Sequence, residues 1–187
     1  MTDQKPKGYA VQLYFDQKME DDFFIFRESL YKLGINPVLG KLDDRPHVSL
    51  GVFGDVDIDR VVEITSAFAR LCTQLPAQLD AFGAFPTSSN VLYLLPVPSQ
   101  PLLKLHTQYH EILQKEKILS SNYYLPGQWV PHCTLEFELS DEQFNLAFQL
   151  CKKHFSPIHG TFASIGVIAF RPIIYLTEFS LPKQDLK

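Results

Sequence analysis

Two short segments, Pro46-His47-Val48-Ser49-Leu50 and Pro131-His132-Cys133-Thr134-Leu135, repeat the pattern Pro-His-x-[Ser/Thr]-Leu about half a chain apart. The pattern constrains the fold through its period. In a strand successive side chains alternate, so each histidine and the hydroxyl two residues on point one way, while the intervening residue and the leucine point the other. Val48, Leu50 and Val52 then form one core-facing row, and Cys133, Leu135, Phe137 and Leu139 form a second. The opposite rows, His47-Ser49-Gly51-Phe53 and His132-Thr134-Glu136-Glu138, are too polar for a dry interior and suit the floor of a cleft. Helix, a strand carrying the tetrad His-x-[Ser/Thr]-Leu, and helix occur twice, which predicts two similar lobes of antiparallel sheet with outer helices around a central cleft.

Apolar periodicity and turn residues place the other elements. Strands are predicted at 9–15, 46–53, 78–85, 91–97, 129–139, 161–170 and 173–181. Helices are predicted at 16–33, 58–75, about 101–119, and from the capping run Ser140-Asp141-Glu142 to about Phe155. Pro86-Thr87-Ser88-Ser89-Asn90 reads as a turn. No low-complexity linker divides the 187 residues, so residues 1–187 read as a single bilobal α/β (α+β) domain.

Composition narrows the function classes. No stretch approaches the roughly 18 to 20 unbroken apolar residues of a membrane helix, and the polar start Met1-Thr2-Asp3-Gln4-Lys5 lacks the apolar segment of a secretory signal. A soluble, cytoplasmic protein without a membrane partner is expected, and a monomer. Cys72, Cys133 and Cys151 are scattered and read as reduced thiols. A net charge of -4 offers no bulk basic field for a long nucleic acid, so any nucleic-acid substrate should be a small nucleotide or an RNA terminus.

The paired tetrads suit phosphoester transfer. The attacking hydroxyl or water must lose a proton and the leaving oxygen must gain one, and the phosphorus between them carries extra negative charge in the transition state. One neutral and one protonated imidazole can do both near neutral pH. Ser49 and Thr134 would donate hydrogen bonds to the non-bridging oxygens, with no metal or other cofactor needed.

On these residues the sequence resembles the two-histidine phosphoesterase superfamily, in particular its 2'-5' RNA ligase and RNA 2',3'-cyclic phosphodiesterase family. The resemblance spans nearly the whole chain. It implies a bilobal fold with a central cleft and places His47, Ser49, His132 and Thr134 at the paired motifs. It also implies opening of a 2',3'-cyclic phosphate at an RNA end, or of a small cyclic nucleotide, by His/His acid-base catalysis. The alternatives are a 3'-end exonuclease or 2'-5' oligonucleotide phosphodiesterase, or an idle module that binds RNA ends or nucleotides. Ser49 stands where many relatives carry Thr, which keeps the hydroxyl.

Base recognition calls for aromatic faces, and Tyr14, Phe53 and Trp129 are the candidates. Arg45 and Arg171 flank strand ends and could pair with a phosphate. His106 and His110, four apart on a helix, are read as a polar helix face rather than a metal site. His154 and His159 bracket a helix end and carry no catalytic expectation. Glu136 and Glu138, on the row of His132, could orient that ring.

Overall fold

The structure, a computed structural model, describes residues 6–183 apart from Asp43 and Pro86. The expectation made on residues 1–5 lies outside that range, as does Pro86 of the predicted turn. In chain order the elements are β1 (Gly8–Phe15), α1 (Gln17–Lys32), β2 (His47–Phe53), α2 (Ile58–Ala69), β3 (Leu75–Phe85), β4 (Val91–Pro96), α3 (Gln100–Lys115), β5 (Cys133–Glu136), α4 (Asp141–His154), β6 (Ile158–Phe170) and β7 (Ile174–Ser180). Types and order follow the sequence pattern.

Each helix starts where a side-chain oxygen takes a free backbone N–H of its first turn. Asp16 accepts from Met19, Asp57 from Arg60, Ser99 from Leu102 and Ser140 from Gln143. The other oxygen of Asp16 accepts from the Thr161 amide and hydroxyl, which ties the start of α1 to β6.

Three predicted elements are shortened. The α2 helix stops at Ala69 rather than Leu75, because its buried stripe of Val61, Ile64, Thr65, Phe68 and Ala69 is complete there and Leu71 already points to solvent. The α3 helix stops at Lys115, and Lys117 turns the chain at a φ of 57°. The strand predicted over 129–139 shrinks to four residues. Upstream, Pro131 has no N–H for a ladder and the Trp129 amide bonds Leu125 in a turn, while downstream Glu138 adopts a φ of 54° that no strand tolerates.

All strand pairs are antiparallel, in the order β2-β1-β6-β3-β4-β5, with β7 also paired to β6. The order is approximately symmetric. A helix links β1 to its neighbour β2, and another links β4 to its neighbour β5, so the two halves mirror one another about the β6–β3 pair. The outermost strands, β2 and β5, nevertheless approach within 8 Å, so the sheet curls until its two ends meet. That closure brings the tetrads together. The core beneath it is dense with Val11, Leu13, Val48, Leu50, Leu92, Leu94, Leu135, Ile165 and Val167. No helix among the described residues is long and apolar enough to cross a membrane.

Candidate active site

His47 opens β2 and His132 directly precedes β5, and both line one cleft of about 670 Å³. Each ring is set by the same local device. The Nδ1–H of His47 donates to the Arg45 carbonyl at 2.7 Å, and that of His132 donates to the Val130 carbonyl at 2.7 Å. In both cases the acceptor lies two residues upstream, across a proline. A carbonyl can only accept, so the Nδ1 proton is fixed and Nε2 remains the reactive nitrogen.

The two motifs are electrically and physically close. The strands that carry them, β2 and β5, approach within 8 Å. Burial pushes the His132 imidazole below its ordinary value, the hydrogen bond at Nδ1 offsets part of that, and the charge of His47 adds to the depression. Beside His47 stands Asp44, with Oδ1 3.6 Å from Nδ1. Burial raises the Asp44 carboxyl, while the charges of His47 and Arg27 pull it back.

Thr134, opposite Tyr93 in the β4–β5 pair, lines the cleft with the histidines. Ser49 does not belong to that lining. It pairs with Gln12, is 9 % exposed, and sits one step inward along a row whose next members, Gly51 and Phe53, are buried. The predicted polar floor of β2 is therefore open only at its His47 end.

The three aromatic candidates need correction. Tyr14 is fully buried, with the Arg45 guanidinium 4.2 Å over its ring and its hydroxyl donating to Gln12. It pairs with His47 in register and meets that ring at 6.5 Å, so it supports the histidine instead of offering a face to a base. Phe53 is a core residue. Trp129 stacks on His106 at 3.9 Å and donates its indole N–H to the Ser49 carbonyl, locking β2 against the segment before β5. The cleft is instead bordered by Phe85, 4.8 Å from His132 and perpendicular to it, and by Tyr123, Tyr124 and Phe137. Phe85 flanks the predicted 86–90 turn, but nothing local marks it as a neighbour of a histidine so far along the chain.

The two arginines separate. Arg45 is held by Glu20 and Glu178, each at 2.8 Å, whereas Arg171 lines the cleft. Glu136 corrects another expectation: it turns away from His132 and accepts from the Tyr31 hydroxyl and the Leu39 and Phe137 amides. The β4–β5 register shift between Leu92 and Tyr93 breaks the alternation that would have kept it on the row of His132.

His106 and His110 are buried, contrary to the expected polar face. Their Nε2–H groups donate to the Tyr124 and Leu50 carbonyls, each at 2.9 Å. Among the described residues no three His, Cys, Asp or Glu side chains gather as a metal site would require. Burial, with the charge of His110, pushes His106 down to about 4, and burial also lowers His110. Both are neutral in the fold, whereas the unfolded chain takes up protons near pH ~6.5. Their contribution to stability is thus complete above that pH and is lost as pH falls toward the folded value. A loss on the order of 1–3 kcal/mol is expected between about pH 6.5 and 4. Thermal melts followed by emission of Trp129, the single tryptophan, will read it; a flat melting temperature across that window would contradict it.

The curled antiparallel sheet is the fold of the two-histidine phosphoesterases. It is shared with E. coli LigT in apo form (TM-score 0.64, 16% identity, 96% of this chain and 100% of that one). It is also shared with TT0787 of Thermus thermophilus (TM-score 0.62, 15% identity, 95% and 99%) and Usb1 of Kluyveromyces marxianus (TM-score 0.56, 13% identity, 92% and 98%). The chain belongs to the 2'-5' RNA ligase superfamily, whose family model matches residues 40–171, a span that holds both tetrads. A protein of Geobacillus sp. (strain WCH70) named "Putative phosphoesterase GWCH70_0799" is 26% identical over 102 residues. That match spans 53% of this chain and about half, 55%, of the relative's length.

Proposed function

We propose that the protein is a phosphoric diester hydrolase that opens 2',3'-cyclic phosphates of RNA ends or small cyclic nucleotides. The observation that carries the reading is the duplicated histidine: two rings that line one cleft, each with Nδ1 tied to a carbonyl, which leaves Nε2 as the nitrogen able to move a proton. Complexes of E. coli LigT with 3'-AMP and with phosphate add support, since they show what a protein of this fold accepts.

In the proposed reaction neutral His132 takes a proton from water at Nε2, and the oxygen attacks phosphorus. His47, with Asp44 as countercharge at 3.6 Å, gives its Nε2 proton to the departing ribose oxygen, leaving a phosphomonoester. Thr134 donates to a non-bridging oxygen, and Ser49, paired with Gln12 outside the cleft lining, is the second hydroxyl proposed for that role. These acid-base steps draw on no cofactor.

The direct test is incubation with an RNA bearing a 2',3'-cyclic end in excess EDTA. A new terminal phosphomonoester is expected, and its absence with every cyclic nucleotide tried would overturn the reading. Because one imidazole must be neutral and the other charged, kcat/KM should follow a bell in pH whose limbs belong to the coupled pair. A level profile from about pH 5 to 9 would be incompatible with that pair.

A further inference from the structure

Beyond the histidines, one end of the cleft is a built wall. The 87–90 turn is pinned to the segment after β5 by three hydrogen bonds: Glu138 amide to Ser89 carbonyl at 2.6 Å, and the Asn90 side-chain amide to the Leu139 carbonyl at 2.8 Å and to Asp141 at 2.9 Å. Thr87, Ser89, Phe137 and Glu138 of this wall line the cleft, together with Arg171 from the turn between β6 and β7. Arg171 is the single lysine or arginine among the described lining residues.

Its restraints are weak. Nη1 lies 3.8 Å from Glu138 Oε1, both side chains are more than half exposed, and the guanidinium centre is 5.7 Å from the Phe137 ring. A contact of that length between exposed groups holds an arginine loosely. The contrast is Arg45, fixed by two carboxylates at 2.8 Å. Glu138, for its part, is held in the left-handed region at a φ of 54°, a conformation that persists where surrounding contacts over-determine it.

We infer that Arg171, with the Thr87 and Ser89 hydroxyls, forms a second anion subsite that takes a further phosphate of the ligand, such as a 5'-phosphate, while the histidines hold the reacting diester. The inference rests on the proposed function in assuming a nucleotide in the cleft. A phosphate offers guanidinium the bidentate partner that Glu138 at 3.8 Å does not. Glu138 competes for Arg171 and repels the incoming anion, so it sets a threshold against ligands without that second charge. The subsite separates substrates by phosphate count, which the bulk charge of -4 does not do.

The test compares binding of adenosine 3'-monophosphate and adenosine 3',5'-bisphosphate by calorimetry, which needs no turnover. The bisphosphate should bind about 10-fold tighter to the native protein, an advantage that shrinks as salt rises. In Arg171→Gln the two ligands should bind alike, with the monophosphate unchanged. In Glu138→Gln the bisphosphate advantage should grow, an opposite sign that loss of structure would not produce. Equal affinity of the two ligands for the native protein, an advantage that survives Arg171→Gln, or no binding of either ligand would each overturn the subsite. Failure of the hydrolase reading shows separately, as absent turnover of cyclic ends by a protein that still distinguishes the two ligands.

Discussion

Replacing His132 by Ala is expected to lower kcat/KM on a 2',3'-cyclic substrate by at least roughly 10²- to 10⁴-fold, and His47→Ala should do the same. The expectation follows from the fixed tautomers. With each Nδ1 committed to a carbonyl, Nε2 is the one nitrogen of either ring that can move a proton, and no other imidazole lines the cleft among the described residues. The losses should not add, because a base without its acid, or an acid without its base, leaves the same blocked step. His132 also packs on Phe85 and Tyr93, so the melting temperature must be measured beside the rate. His132→Gln keeps most of the volume and should remain as inactive as the alanine variant. Activity within a factor of about ten of native in a folded His132→Gln protein would remove general acid-base catalysis by this ring.

Glu136→Ala should be the most damaging single change to stability outside the apolar core. The side chain is 1 % exposed and accepts from the Tyr31 hydroxyl and the Leu39 amide. It thereby joins the end of α1 and the segment leading to His47 to the strand that carries Thr134. Truncation leaves a buried Leu39 amide and a part-buried Tyr31 hydroxyl without an acceptor, the first at about 1–3 kcal/mol and the second at less because water can reach it, so a loss of about 3 kcal/mol is expected. In a chain of this length that corresponds to a fall of roughly 6–12 °C in melting temperature. Glu136→Gln retains one acceptor oxygen for Leu39 and can donate to Tyr31, so it should lose less than half as much. A melting temperature within about 2 °C of native for the alanine variant would show that the brace carries no weight. Burial and the Glu136 carboxylate both push the Tyr31 phenol above its ordinary range, so the hydroxyl remains a donor throughout the accessible pH range.

These two residues mark where sequence reading reaches and where it stops. His132 is legible because the chemistry around it is local: a period of two, a preceding proline and a hydroxyl two positions on are all visible in five consecutive residues. The helix starts are legible for the same reason, since Asp16, Asp57, Ser99 and Ser140 act on amides three residues away. Glu136 is misread because strand alternation holds only while the strand does, and the register shift opposite Leu92 and Tyr93 ends it. Tyr14 and Trp129 are misread differently. Their positions near the tetrads are right, but whether a ring faces a cleft or underpins it depends on Arg45 and His106, which come from other parts of the chain.

What the amino-acid order alone determined is the succession of elements, the paired histidine motifs and the row on which each motif lies, because propensity, capping and alternation act over a few residues. Tertiary structure decided that the two ends of the sheet meet, that Arg45 is consumed by Glu20 and Glu178 while Arg171 reaches the cleft, and that His106 and His110 lie buried. Those outcomes depend on contacts between residues distant in the chain, from 18 positions for His106 and Tyr124 to 133 for Arg45 and Glu178. Burial and pairing at such range are properties of the packed whole, and no short window of sequence contains them.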